Sequence, residues 1–284
     1  MSRSCVAGRS FSVSFMSQKP SQSQGPRRQS GVSYRDSGVD IDAMDVALKK
    51  IRDLARSTAN PDVLAEIGGF GGLFRMRPGG RPVLVASVDG VGTKLRVARD
   101  AGIHDTVGAD LVNHCINDIL VQGARPLFFM DYFATGHLEP DVVVAVVRGM
   151  SLACREASCA LLGGETAEMP GFYRQGDYDL AGFIVGVVEE EKVLTGAAIR
   201  PGDLLLGLPS QGLHTNGYSL ARKVIFEMQG LSLEDRLPGT ETTVAQALLA
   251  PHRSYLASLG DLLARNLVHG LSHITGGGIS DNLP

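Results

Sequence analysis

The stretch Pro82-Val83-Leu84-Val85-Ala86-Ser87-Val88-Asp89-Gly90-Val91-Gly92-Thr93-Lys94 decides how this chain is read. Its opening run, Pro82 to Val88, is apolar and rich in β-branched side chains, which predicts a strand covered on both faces. Asp89 stands at the strand's end. Gly90 and Gly92 let backbone N–H groups approach an anion, and Lys94 adds a point charge suited to a phosphate. Asp89 can ligate Mg²⁺, a hard cation that takes one or two carboxylates and completes its shell with phosphate oxygens and water. The spacing is not that of a Walker loop, because the glycines are one residue apart and no Gly-Lys-Ser/Thr follows. Taken alone, such a junction is as often plain structural punctuation as a nucleotide loop.

Composition bounds the rest. A chain of 284 residues has room for two ordinary domains, and 44% apolar with 20% charged residues predicts a folded core. Glycine, at 35 residues or roughly 12% against a usual ~7%, points to many tight turns and close ligand approaches. The formal charge of −3 gives no argument for nucleic acid, and no run of ~18 apolar residues predicts a membrane span. Cys5, Cys115, Cys154 and Cys159 form no Cys-x-x-Cys pair and read as reduced thiols of an intracellular, cytoplasmic protein. Residues 1–30 carry Arg3, Arg9, Lys19, Arg27 and Arg28, many serines and no acid. They are expected to be a disordered basic tail, with an organelle transit peptide or a true start at Met16 as the other readings.

From Tyr34 onward, strand and helix patterns alternate. Met44, Ala47, Leu48, Ile51, Leu54 and Ala55 recur at helical spacing. Ala109 to Gln122 reads as a helix stopped by Gly123, with Val112, Ile116, Ile119 and Leu120 inward. Leu127 to Phe133 reads as a strand, Asp141 to Ala157 as a helix, and Cys159 to Leu162 and Leu180 to Val188 as strands. Glu189-Glu190-Glu191-Lys192 and the turn Arg200-Pro201-Gly202-Asp203 mark a boundary, giving domains 31–195 and 196–284. In the second, Leu204 to Leu208 and Leu271 to Ile274 are predicted as strands. Tyr218 to Met228 is predicted as a helix, and Val244 to Arg265 as a helical region broken near Pro251.

Several polar groups suit phosphate and metal chemistry. Asp110, His114 and Asp118 recur every four residues along one helical stripe. Such a stripe is most often a solvated face, but Asn113 and Asn117 beside it raise the prospect of a pocket shared with Asp89. Gly163 to Gly171 reads as a glycine-flanked loop offering Glu165 and Glu168 after a strand. Gly212-Leu213-His214-Thr215-Asn216-Gly217-Tyr218-Ser219 opens a helix whose N-terminus favours an anion. Asn216 is explained equally well as a plain N-cap, whereas His214 is not explained by that reading. His273-Ile274-Thr275-Gly276-Gly277-Gly278 leads from a strand into glycines and a further helix, suiting phosphate contact or simply a flexible turn.

Together these segments resemble the aminoimidazole ribonucleotide synthetase family. The resemblance runs from Ser33-Tyr34-Arg35-Asp36-Ser37-Gly38-Val39-Asp40-Ile41 through the loop ending at Lys94, Asn117-Asp118, Gly164 to Gly171, His214 to Ser219 and His273 to Gly278. The Tyr34–Ile41 and Glu165–Gly171 segments separate this family from relatives such as thiamine monophosphate kinase and selenophosphate synthetase. The resemblance implies two α/β (α+β) domains, the first pairing its sheet with a second copy as a homodimer. It also implies ATP- and Mg²⁺-dependent closure of the imidazole ring of formylglycinamidine ribonucleotide in purine synthesis. It places Mg²⁺ on Asp89 and Asp118, and ATP on Asp89, Gly90, Gly92, Thr93, Lys94, Asp118, Glu165, Gly276, Gly277 and Gly278. His214, Asn216 and His273 are the groups expected at the reacting centre. The family continues well past the His-Ile-Thr-Gly-Gly-Gly motif, so the second domain is expected to be incomplete at Pro284. The alternatives are therefore an impaired fragment that dimerises and binds ATP, or a related small-molecule kinase.

Overall fold

The β-branched run before Asp89 becomes one strand of a mixed sheet. The computed structural model describes residues 72–75 and 80–284. In it β1 (Gly72–Arg75), β2 (Pro82–Gly90), β3 (Arg125–Thr135), β4 (Ala160–Glu168) and β5 (Tyr178–Glu189) are ordered β1-β2-β5-β3-β4. β5 pairs antiparallel with both β2 and β3, setting Asp89 opposite Gly182 and Gly182 opposite Asp131. β3 and β4 are parallel, which requires a crossover, and the predicted helix supplies it as α3 (Pro140–Glu156). The expected helix around Met44–Ala55 and the Tyr34–Ile41 segment lie outside the described residues.

Six further α-helices lie among the described residues, of which the one at Lys94 was not expected from the sequence. α1 (Lys94–Ala101) starts directly after the glycine loop and ends at Gly102, whose φ of 66° is the left-handed cap that glycine adopts without a Cβ penalty. α2 (Asp105–Leu120) carries Val107, Leu111, Val112, Cys115, Ile116, Ile119 and Leu120 into the core and packs on β2 and β5. α4 (Tyr218–Arg222) runs on through a π-helical stretch to Met228. α5 (Val244–Leu248) and α6 (Leu256–Ala264) stand on either side of Pro251, and α7 (Gly278–Asn282) follows the last glycines. α5 opens on a capping box in which Thr243 Oγ1 accepts the Gln246 N–H and Gln246 Oε1 accepts the Thr243 N–H.

The structure corrects four expectations. β2 is covered on one face only: Val83 and Val85 are fully buried, whereas Val88 is 66% exposed. Helices pack on one side of the sheet, so the Val88–Phe183–Met130 row, in register across β2, β5 and β3, stays exposed on the other. The Gly163–Glu168 segment is not a loop, because β4 continues through it with a register shift opposite Phe129 and Met130. Leu204 to Leu208 and Leu271 to Ile274 form no strands. An apolar run becomes a strand only when another strand satisfies its backbone groups, and none lies alongside either run among the described residues. Among the described residues no helix is long and apolar enough to cross a membrane.

α2 and α3 pack so closely that two glycines are obligatory. A Cβ on Gly149 would lie 1.8 Å from the Asp105 carbonyl oxygen, and one on Gly108 would lie 1.9 Å from the Val146 carbonyl oxygen. Both clashes are with backbone, so no side chain can turn aside. Gly149→Ala is expected to lower the unfolding free energy by about 2 kcal/mol or more, the upper part of the overpacking range. Urea denaturation reads this as a fall in midpoint; an unchanged midpoint would show that the two helices separate freely.

Candidate active site

The site assembles where the end of β2, the polar stripe of α2 and three later segments meet. The stripe is not solvated. Asp110, His114, Asn117 and Asp118 are between 0% and 4% exposed, because the chain carrying His214, His252 and His273 lies across them. α2 is thus buried on both sides, its apolar face by the sheet and its polar face by these loops.

Beneath the site sits Lys94, fully buried. Its ammonium lies 2.6 Å from Asp110 Oδ2 and donates to the carbonyl oxygens of His214 (3.0 Å) and Ala250 (2.9 Å). A lysine has three N–H donors and these acceptors use all of them, so the geometry turns Lys94 away from the phosphate role expected of it. The physical reason is that α1 begins at Lys94 and directs its stem inward. The same contact holds the His214 backbone at φ 56°, a left-handed conformation that is costly for a β-substituted residue. Asp110 Oδ1 meanwhile accepts the His252 N–H at 2.6 Å. One buried ion pair therefore fastens both loops to α2.

Above it, His114 Nε2 stands 2.6 Å from Asp89 Oδ2 and 3.6 Å from Asp118 Oδ2. Asp118 Oδ1 lies 2.8 Å from His273 Nδ1, and its Oδ2 accepts the Ser87 hydroxyl at 3.0 Å. Asp89 Oδ1 also accepts the Gly90 N–H at 2.6 Å. Burial works to raise the Asp89 pKa, but the hydrogen bond and charge of His114 outweigh it and hold the carboxyl below its usual range. His114 is shifted reciprocally: burial lowers its pKa, and Asp89 with the other carboxylates raises it further.

A second imidazole pair lies alongside. His214 and His252 stack with ring centroids 4.0 Å apart and planes at 20°. His214 Nε2 accepts the Gln211 N–H at 3.0 Å and the Arg253 N–H at 3.4 Å. Burial, then the charges of His273 and Lys94, push His214 down to about 4. Burial and the neighbouring imidazoles push His252 down as well, so both rings are neutral at pH 7. A histidine that resists protonation when folded binds fewer protons than the unfolded chain, so its contribution to stability is present above pH ~6.5 and is lost on acidification. Replacing His252 by Asn removes that proton difference. Between pH 6.5 and 5 the stability of the variant is expected to fall less steeply than that of the parent, by about 1.4 kcal/mol per pH unit. Urea titrations at several pH values measure both slopes; equal slopes would mean that His252 protonates as readily in the fold as outside it.

The remaining expected residues divide by position. Gly90, Gly92 and Thr93 border Asp89, and the Thr93 and Ser219 hydroxyls lie 3.2 Å apart. Gly92 and Thr93 also line a cleft with Arg96, Arg99, Tyr173 and Tyr178. Asn216 is half-buried beside Gly276 and does not cap α4, whose N-cap is Gly217. Gly276 and Gly278 are held through their carbonyls by Asn282 Nδ2, at 3.0 and 2.7 Å. Glu165 is not part of the cluster. It is exposed on β4, and β3 and β5 separate that strand from β2, about 14 Å across the sheet at the usual strand spacing. His252 was not singled out from sequence, since a histidine after a proline between helices carries no local signal.

Asp89 and Asp118 facing one imidazole nitrogen give a donor set that can hold a divalent cation. Asp89 supplies the accessible carboxylate, with its side chain 39% exposed, and Asp118 the buried one. Hard carboxylate oxygens beside a glycine loop suit Mg²⁺ completed by phosphate and water.

Comparison with known proteins identifies the family. Residues 70–188 match the family described as AIR synthase related protein, N-terminal domain, and residues 200–284 match its C-terminal domain. A phosphoribosylformylglycinamidine cyclo-ligase of Geobacter metallireducens is 56% identical over 256 residues, covering 89% of this chain and 74% of its own. The protein of that name from Sorangium cellulosum is also 56% identical, over 257 residues, with the same coverage of 89% and 74%. Among solved structures, tt0281 from Thermus thermophilus shares the fold, with a TM-score of 0.57 at 23% identity over 84% of this chain and 69% of its own. With both halves of the family matched in order and more than half of the aligned residues identical, this chain belongs to the phosphoribosylformylglycinamidine cyclo-ligase, or AIR synthase, family.

Proposed function

We propose that this chain is an ATP-dependent cyclo-ligase that closes the imidazole ring of formylglycinamidine ribonucleotide, yielding aminoimidazole ribonucleotide, ADP and phosphate, in the cytoplasm. The observation that carries this reading is the convergence of Asp89 and Asp118 on His114 at the mouth of a glycine loop, within a chain of this family. In the reaction the γ-phosphoryl group of ATP passes to the amide oxygen of the substrate. A substrate nitrogen then attacks the activated carbon, the ring closes, and the C–O bond breaks to release phosphate.

The protein's work is positioning and electrostatic. Asp89 and Asp118 would hold Mg²⁺, which neutralises phosphate charge. The N–H groups of Gly92 and Thr93, and the turn Gly276 to Gly278, would meet phosphate oxygens, while the Gly90 N–H holds Asp89 Oδ1. His214, Asn216 and His273 line the approach from the second half of the chain. His214 is neutral, with Nε2 already accepting two backbone N–H groups, so it orients this loop; His273, bonded to Asp118, would be the group facing the reacting centre. Lys94 acts from below by fastening the loops. Glu165 is left for a contact outside this cluster.

The direct test is aminoimidazole ribonucleotide formation by the purified chain with Mg²⁺, ATP and formylglycinamidine ribonucleotide. Product that requires both substrates and falls at least tenfold in His214→Ala supports the reading. ATP hydrolysis without ring closure would favour the kinase alternative, and ATP binding with no turnover the impaired-fragment alternative.

The exposed Val88–Phe183–Met130 row suits a homodimer formed face to face through the sheet, because a contiguous apolar sheet face is costly in water. Phe183→Asp is expected to shift the sedimentation coefficient from that of a dimer to that of a monomer at micromolar concentration. A parent chain that already sediments as a monomer would remove this proposal.

A further inference from the structure

The side chains around His114 form a chain of hydrogen bonds whose direction follows from backbone groups at one end and the Asp89 carboxylate at the other. Asn117 Oδ1 accepts the Tyr255 N–H at 3.0 Å, and Asn117 Nδ2 donates to the Arg253 carbonyl at 2.8 Å. One partner can only donate and the other can only accept, so the orientation of the amide is settled. Asn117 Nδ2 also faces His252 Nε2 at 3.1 Å, and that nitrogen must therefore accept. The neutral His252 then carries its proton on Nδ1 and donates it to Thr215 Oγ1 at 3.3 Å. With its oxygen receiving that bond, Thr215 is free to donate its own hydroxyl proton to His114 Nδ1, 2.6 Å away. The Asp89 carboxylate, an acceptor only, calls for a proton on His114 Nε2, 2.6 Å from Oδ2, so in the neutral ring Nδ1 is the acceptor that Thr215 serves.

We propose that Asn117, His252 and Thr215 are positioning residues that select the Nε2–H tautomer of His114 and thereby fix Asp89 Oδ2, leaving the rest of that carboxylate to a divalent cation. This rests on the reading of Asp89 as a cation and phosphate group. With Oδ2 tied by a preset N–H and Oδ1 accepting the Gly90 N–H at 2.6 Å, the carboxylate does not have to reorient when the cation arrives at its remaining lone pairs. Outer partners of this kind typically change metal affinity or activity by about 10–100-fold when removed. The relay also joins the two halves of the chain: Asn117 and His114 come from α2, Thr215 and His252 from the loops that Lys94 fastens.

The test uses Thr215→Val, which keeps the side-chain shape and removes the hydroxyl, and Thr215→Ser, which restores the hydroxyl. Long-range ¹H–¹⁵N spectra of the metal-free chain with labelled histidines report the tautomer of each ring, with His114 assigned by its loss in His114→Gln. The Nε2–H pattern is expected in the parent and in Thr215→Ser, and a mixed or shifted pattern in Thr215→Val. In parallel, the Mg²⁺ concentration for half-maximal ADP formation is expected to rise 10–100-fold in Thr215→Val, with the rate at saturating Mg²⁺ changed far less. An unchanged His114 spectrum in Thr215→Val overturns the relay. So does an equal loss in Thr215→Ser and Thr215→Val, which would mark a packing effect. If the parent itself turns nothing over, the ring-closure reading fails while the spectra still decide the relay.

Discussion

Lys94→Met is expected to destabilise the chain by about 3–5 kcal/mol, a large part of the ~5–15 kcal/mol that holds a typical domain folded. Met has nearly the same length and fits the apolar part of the space, so the loss comes from what the ammonium leaves behind. Asp110 is fully buried, and without Lys94 its Oδ2 has lost its counter-charge in a medium that disfavours ions. Burial already pushes the Asp110 carboxyl up to about 6 with Lys94 present, and it pushes the Lys94 ammonium down. Two carbonyls, of His214 and Ala250, also lose their donor, so the loops that carry the imidazoles come loose with the ion pair. Adding Asp110→Asn to Lys94→Met removes the stranded charge while keeping an oxygen for the His252 N–H, and the pair of changes is expected to be more stable than Lys94→Met alone. Urea unfolding of the four proteins of this cycle measures the coupling. Equal losses in Lys94→Met with and without Asp110→Asn would mean that the ion pair contributes nothing beyond its separate parts.

The parts of this molecule that were legible in its sequence are those whose signal is local. Apolar periodicity found β2, β3, β5, α2 and α3, because burial against one sheet repeats at the period of each element. Pairing is not local. Leu204 to Leu208 has the composition of a strand, yet Leu204, Leu205 and Leu206 are each more than three-quarters exposed, with no strand beside them among the described residues. The polar stripe of α2 read first as a solvated face because a lone helix with that stripe would be one. Only the contacts from Asn117 to His252 and Arg253, more than 130 residues along, show that it is covered. Lys94 illustrates the same limit from the other side. Its place after a glycine loop suggested phosphate, while its three acceptors come from residues 110, 214 and 250, which no spacing rule connects. The glycine loop with Asp89, and the later His214 and His273, stood out in the sequence as polar groups in glycine-rich surroundings. The meeting of Asp89 with His114, and of His273 with Asp118, required the fold.

Asp118→Asn is expected to cut ADP formation by at least about 100-fold while changing stability by no more than about 1 kcal/mol. The two effects separate because the geometry tolerates an amide but not the loss of charge. Asn keeps an oxygen to accept from His273 Nδ1, in the place of the Asp118 Oδ1 that lies 2.8 Å from it. Its nitrogen takes the place of Oδ2, and the Ser87 hydroxyl, which now donates at 3.0 Å, can turn and accept. The packing between α2, which carries residue 118, and the loops across it is kept, since the two side chains have the same shape. What disappears is the buried negative charge that faces His114 beside Asp89, and with it one of the two carboxylates available to a cation. A single carboxylate still admits Mg²⁺, but with fewer fixed ligands, so the Mg²⁺ requirement should rise as the maximal rate falls. Mg²⁺-dependent ADP formation and urea unfolding, measured on the same preparation, separate the alternatives. Activity within a few fold of the parent would make Asp118 an anchor for His273 and Ser87 and leave Asp89 alone with the cation. A collapse of stability would show that its charge is needed to hold α2 beneath the imidazoles.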